Sequence, residues 1–416
     1  MLKWLSDYNK HLILLSVASG ILFGLWTPSL FESVQFLGTT FINLLKLFAL
    51  PLICSALIAA LGDLSGNLST LKSLSKKLVG YMLVSEIMAV TIALCLFNLF
   101  KPGVGGDGSL ILNAGFQPVE HQEFGFSRFV LSIIPENIFY SLTHFEVLPV
   151  VIFSILFGLG CTFAGEAARP CVKLAISIRE ASTKCLNGVM FLAPLGIFAL
   201  VGSGVAQSHL HGDLKMSFLS LLSFVAVLIL GLFLHGLWQL IAVAAISKQR
   251  MGNILQKSLP VFSTAFGTSS SLATLPVAMH VADSLEAKPF VTRLMLPICA
   301  SINVGGMMMY EMGAALFFSQ MLGLDLTLSQ QILLAIACIL GGMAEGGIPE
   351  TSMVSLIVVF KIVNIPLSAI SFLLPLDRII DRLRTMVNIF GNMCGVILVS
   401  KLTEESPAER FTQNSG

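Results

Sequence analysis

Eight polar or charged residues sit within an otherwise apolar stretch near the end of the chain, LDRIIDRLRTMVNIFGN from Leu376 to Asn392, and six of them share a pattern. Asp377, Asp381, Arg384, Thr385, Asn388 and Asn392 fall at spacings of three and four, which stacks them on one face of a helix. A guanidinium fork matches a carboxylate bidentately, and a neighbouring Asp matches an ammonium group. A ligand carrying both groups is an acidic amino acid. The competing reading is structural: an Asp381 to Arg384 pair that only fastens helices together.

A further carboxyl, Glu86 in LVSEIMAV, lies nine residues after Lys77, which is ~14 Å along a helix rising 1.5 Å per residue. What surrounds that helix follows from composition. The chain has 416 residues, 55% of them hydrophobic and 11% charged, against about a quarter charged in soluble domains. Apolar runs recur near residues 11–31, 37–62, 78–100, 146–164, 186–205 and 217–246, each close to the ~20 residues that span a hydrocarbon core. The predicted class is therefore an all-α polytopic membrane protein. Charged residues in spanning helices cost about 2.5–3.5 kcal/mol each by insertion scales, so they should face the protein interior and pair. By that measure Glu86 lies near mid-bilayer and is a functional candidate. The bland reading is a packing Glu held protonated by a backbone carbonyl.

The remaining composition narrows the class. A formal net charge of +1 without a concentrated basic patch gives no nucleic-acid partner. The eight cysteines show no CxxC or ligand spacing and read as reduced packing residues. The first apolar run is long, lacks a small-residue cleavage site and reads as a retained helix.

Basic residues set the orientation. With the N-terminus cytoplasmic, predicted inner segments hold Lys72, Lys76, Lys77, Arg169, Lys173, Arg179, Lys184, Lys248, Arg250, Lys257, Lys288 and Arg293, while outer loops hold only Lys101 and Lys215. Six helices before residue 250 follow, with both termini inside and residues 101–126 as an outer loop. After residue 250 the apolar stretches are broken by Gly, Ser, Thr and Pro. FSTAFGTSSSLATLPVAMH at 262–280 and LGGMAEGGIPETSMVSLIVVF at 340–360 each precede a full helix, near 290–321 and 367–401. Unpaired backbone polar groups cannot face lipid, so such breaks survive where protein or a water-filled cavity covers them. Paired interrupted segments point to a transporter's binding site. The alternative is a pair of loops between shorter helices.

These residues resemble the dicarboxylate/amino acid:cation symporters, the family that includes the glutamate transporters, over nearly the whole chain. FINLLKLFALPLICSALIAALGDL, IPENIFYSLTHFEVLPVVIFSILFG and APLGIFALV look like family signatures. The C-terminal third is more specific. Thr268–Pro276 (TSSSLATLP) and Glu345–Met353 (EGGIPETSM) resemble the tips of two re-entrant hairpins, Ile302–Glu311 (INVGGMMMYE) the unwound seventh helix, and DRLRTMVN the substrate-binding stretch of the eighth.

The resemblance implies eight spanning helices plus two re-entrant hairpins, a homotrimer and an elevator-like movement. Residues 1–250 would supply six helices, mostly scaffold and trimer contacts, with the third and sixth in the moving domain. Residues 251–401 would form the substrate-binding core and 402–416 a cytoplasmic tail. Carried over, Arg384 would bind the side-chain carboxylate and Asp381 the amino group. Thr385, Asn388, Ser270, Ser271 and Gly347 would complete the substrate site, with the last four around the α-carboxylate. Asn303, Glu311, Asn392 and Glu86 would lie along the cation or proton route. The serines have a plain alternative as helix-packing residues.

Two departures bear on the driving ion. Sodium-coupled members place Asp in the seventh-helix motif and late in the eighth helix, where this chain has Gly305 and Asn392. Hard cations want oxygen ligands, and two lost carboxylates remove charge compensation. Glu86 replaces a small residue that in the family lies beside the missing Asp, as though a carboxyl had crossed the site with Gly305 making room. H+ is therefore favoured over Na+ as the coupling ion, with no other cofactor. Met307 replaces a usual Thr near the substrate side chain. Glu311, at a position associated with proton movement in some relatives, reads equally as a buried neutral carboxyl.

No nucleophile elbow, paired metal-ligand His motif or phosphate loop is present, which argues against an intramembrane enzyme. An anion channel remains a rival, as does a symporter of the same fold for C4-dicarboxylates or neutral amino acids. His209 and His211 form an HxH placed in an outer loop, too few ligands for a metal site, and His235 and His280 read as isolated. The expected location is the inner membrane.

Overall fold

The computed structural model describes residues 12, 15–16, 18–62, 68–106, 108, 134, 136–144, 147–211, 214–343 and 352–403, and among them it contains helices and no strand. The first half comprises α1 (Pro28–Gly62), α2 (Leu68–Phe100), α3 (Ile138–Thr143), α4 (Val147–Ala164), α5 (Arg169–Val189), α6 (Ala193–His211) and α7 (Leu214–Ser247). The second half holds α8 (Met251–Thr268), α9 (Ser271–Ser284), α10 (Pro289–Ile302), α11 (Gly305–Met321), α12 (Leu328–Met343), α13 (Ser352–Ile362) and α14 (Ile370–Lys401).

Among the described residues six stretches are long and apolar enough to cross a membrane: 33–59, 76–100, 149–186, 219–247, 289–321 and 379–401. The basic segment expected on the inner side, 169–184, continues the fourth run as α5 through a single 3-10 turn at Gly165–Ala168. The histidine pair assigned to an outer loop instead belongs to the helical end of α6, which runs to His211.

The breaks after residue 250 are present as backbone geometry. α8 ends on Ser269 with φ +50°, an uncommon left-handed conformation for a residue with a Cβ. Ser270 is extended and caps α9, its Oγ accepting from the Ala273 N–H at 3.2 Å. Hydroxyls hold the rest of the turn, with Thr274 Oγ1 donating to the Ser270 carbonyl at 2.8 Å. At 14 residues, α9 is ~21 Å long, short of a ~30 Å hydrocarbon core. α10 and α11 are separated by Asn303 (φ −91°, ψ 95°) and Val304 (φ −125°, ψ 47°), which lie outside helical geometry. The tip of the other expected hairpin, with Gly347, lies outside the described residues.

α1 packs chiefly on α4, α5 and α6, whereas α14 packs on α7, α8, α9 and α10, and α2 packs on α11 and α7. α11 sits innermost: every residue from Gly305 to Ser319 is buried. A helix apolar all round belongs in such a place, which makes Glu311 within it conspicuous. Close approach of α2 to α11 depends on Gly313, where a Cβ would stand 2.6 Å from the Phe97 ring. Phe97 is itself wedged against Phe224 at 5.7 Å between centroids and has little room to yield. Gly313→Ala is expected to destabilise by about 1–3 kcal/mol through overpacking, exceeding the helix-propensity gain of about 1 kcal/mol. A lower melting temperature in detergent would register it, and an unchanged one would show that the helices separate freely.

Outside the spans, loop 285–288 is tied to the end of α14. Lys288 N–H donates to Ser400 Oγ at 2.6 Å, Lys288 Nζ to the Thr403 carbonyl at 3.1 Å, and Lys401 pairs with Glu286 at 2.9 Å. The Lys401 ammonium holds the Glu286 carboxyl below the usual carboxylate range.

Candidate functional site

α14 gathers the charged face expected from its spacing. Arg384 is completely buried, and its Nη2 donates to both Asp377 Oδ1 at 2.8 Å and Asp381 Oδ1 at 3.1 Å. The guanidinium carbon lies 4.2 Å from the centroid of the Tyr310 ring on α11, a cation–π distance. Nη1 contacts Met307 Sδ at 3.1 Å. Both carboxylates sit on the same helix as the guanidinium, so these ion pairs fasten no two helices together.

Asn388 and Asn392 continue the face. Asn388 Oδ1 accepts from the Gly306 N–H at 2.8 Å, satisfying a donor freed by the α10–α11 break. Asn303, on that break, donates from Nδ2 to Asn392 Oδ1 at 2.7 Å. Two of the proposed route residues thus touch directly. Thr385 and Ser271 are buried, and the hairpin of α8 and α9 reaches α14 where Arg382 Nη1 donates to the Phe266 carbonyl at 3.2 Å. Ser270 is engaged in capping α9. Glu311 is buried on α11, facing Cys338 of α12.

Glu86 is fully buried, and neither of its oxygens has a hydrogen-bond partner among the described residues. The space left by Gly305 is bounded differently from the sequence expectation. A Cβ at Gly305 would stand 3.0 Å from His235 Nε2 and 3.3 Å from Ala89 Cβ. The histidine read as isolated is thus the residue that fills this gap, with Glu86 one helical turn before Ala89.

Sequence reasoning underweighted Asp377 and missed His235 and Gln239. Asp377 was legible as two turns before Arg384. For the α7 pair the signal was HGLWQ, an i,i+4 polar pair inside an apolar helix.

The model of the sodium:dicarboxylate symporter family matches residues 11–402. Among curated relatives, the proton/sodium-glutamate symport protein of Geobacillus stearothermophilus is 29% identical over 407 residues, covering 97% of this chain and 95% of the relative. The proton/glutamate-aspartate symporter of Escherichia coli K12 is 30% identical over 405 residues, covering 94% and 91%. The C4-dicarboxylate transport protein of Paracoccus denitrificans is 27% identical over 420 residues, covering 98% and 90%.

Proposed function

Since the chain belongs to the sodium:dicarboxylate symporter family, whose members are cation-coupled membrane symporters, we propose that it carries glutamate or aspartate across the inner membrane, driven by H+ in preference to Na+. The observation that supports this most is the buried Arg384 flanked by Asp377 and Asp381. A substrate carboxylate replaces the two aspartates on the guanidinium, and the released Asp381 takes the substrate ammonium. A plain dicarboxylate leaves Asp381 without that second partner, which is why the amino acid is preferred. The C4-dicarboxylate reading retains one point in its favour, Met307 packed on the guanidinium in place of a hydroxyl.

The α-carboxylate is assigned to Asn388, Thr385, Ser270 and Ser271, with Gly347 from the second hairpin. The N-terminus of α9 supplies the positive end of a helix dipole there. The coupled proton is assigned to the buried groups Glu86 and Glu311, with Asn303 and Asn392 as neutral neighbours. The reading carries with it eight spans, both termini inside, a homotrimer and elevator-like movement of residues 251–401 with the third and sixth spans.

Reconstitution in liposomes with sodium and proton gradients imposed separately tests it. Aspartate or glutamate accumulation driven by an inward proton gradient without sodium is the expected result. Strict sodium dependence at constant pH would sink the proton preference, and efflux following the substrate's own gradient alone would favour a channel.

A further inference from the structure

A second buried polar group meets the α10–α11 break at Gly305, while the Arg384 helix meets it at Gly306. His235 and Gln239, one turn apart on α7, are 1% and 2% exposed. Gln239 Nε2 lies 2.9 Å from His235 Nε2, while His235 Nδ1 and Gln239 Oε1 have no hydrogen-bond partner among the described residues. The imidazole lies parallel to the Trp238 ring, 5.9 Å between centroids and 8° between planes, and Trp238 stacks on Tyr81 of α2 at 6.4 Å. Its plane is therefore fixed, with the Nε2 edge pointed at Gly305. Both Glu86 oxygens, Asn303 Oδ1 and Asn392 Nδ2 are likewise buried without a partner. Orphaned polar atoms cost about 1–3 kcal/mol each, and native interiors leave few of them. A cluster of them at a helix break in a membrane interior is a binding site rather than packing.

Two of its members, an imidazole and a carboxyl, take up protons. We infer that His235 is a seat of the coupled proton, that Gln239 reads its protonation state, and that Glu86 is the second titratable member of the same site. The inference rests on the reading of cation-coupled uptake of acidic amino acids. The Gln239 amide nitrogen can only donate, so His235 Nε2 accepts as the lone pair of a neutral ring. When a proton binds Nε2, the amide must turn so that its unpartnered Oε1 accepts. That turn is felt by α14, because a Cβ at Gly391 would stand only 2.3 Å from Gln239 Nε2. Gly391 precedes Asn392 and follows Arg384 by two turns, so the amide touches the substrate helix directly. Protonation adds one positive charge, and no bond is broken.

The helices packed on α7 carry titratable and charged groups. In their buried parts α2 contributes Glu86 and Tyr81, and α11 Tyr310 and Glu311. α14 brings Cys394 and, farther along, Asp377, Asp381 and Arg384. α8 offers only Lys257, whose ammonium is exposed and bonded to the Ser284 carbonyl. The described side chains of α6 include none.

The test measures aspartate uptake into proteoliposomes against external pH at fixed internal pH, alongside aspartate exchange at equal pH on both sides. Wild-type uptake should rise as the outside is acidified. His235→Gln keeps a hydrogen-bonding side chain without a titratable ring, and should retain exchange while losing the pH response. Gln239→Leu, which leaves the imidazole in place, should shift the pH of half-maximal uptake. A wild-type pH profile in His235→Gln overturns the inference and leaves the transport reading intact. Should His235→Gln lose exchange as well, an unshifted profile in Gln239→Leu overturns it. Absence of both uptake and exchange in the wild type removes the transport reading itself, and the inference with it.

Discussion

Arg384→Cys is expected to abolish uptake of glutamate and aspartate while leaving or creating transport of small neutral amino acids such as serine. Removing one partner of a buried ion pair costs about 3–5 kcal/mol, and each 1.4 kcal/mol is tenfold in affinity. A loss of at least about 100-fold in apparent affinity for acidic substrates follows from those values. The structure also warns that the substitution strips Asp377 and Asp381 of their shared counter-charge, 2.8 and 3.1 Å away, so lost uptake could be lost folding. The double variant Asp377→Asn, Arg384→Cys separates the two. Thermal stability should recover as one carboxylate is removed, and acidic uptake should stay absent. Unchanged aspartate affinity in Arg384→Cys would mean that the guanidinium only neutralises its own helix.

Those same residues show what the sequence could and could not disclose. The Arg384 face was legible because helical spacing alone stacks its members, whatever the neighbouring helices do. The break at Ser269 was legible because apolar runs do not otherwise tolerate Gly and Ser clusters at that depth, whereas the one at Asn303 lies in a stretch that reads as a full helix and was offered only by the family resemblance. Which residue faces which across helices was not. Gly305 read as room for Glu86, yet the adjoining volume holds the His235 imidazole, since α7 and α2 approach α11 together. Spacing within α7 gave HGLWQ one polar edge, but no local rule says that this edge meets the break rather than lipid. Asp377 was legible on the same face, as was an Asp381 to Arg384 pair, but not that one guanidinium nitrogen would engage both. An i,i+3 and an i,i+7 carboxylate are both in reach, and only the packing of Tyr310 and Met307 against the guanidinium sets its direction.

Gly305→Asp should therefore fail for a steric and electrostatic reason that His235 controls. Its Cβ would enter at 3.0 Å from His235 Nε2 and 3.3 Å from Ala89 Cβ, inside the range that neighbours must yield to. The new carboxyl would join Glu86 in an interior with little compensating charge. On its own the substitution is expected to lower the melting temperature in detergent and to cut aspartate exchange at least tenfold, an assay that needs no ion gradient. His235→Ala opens the volume the new side chain requires. The pair should then show a favourable coupling of about 1–3 kcal/mol, so that the double variant is more stable than the sum of the singles. Adding Glu86→Ser returns the carboxyl count to one, and exchange should recover furthest in that triple variant. If Gly305→Asp is tolerated by itself, or if the losses add without coupling, the imidazole does not occupy the gap that Gly305 leaves, and the carboxyl has not been displaced from α11 to α2.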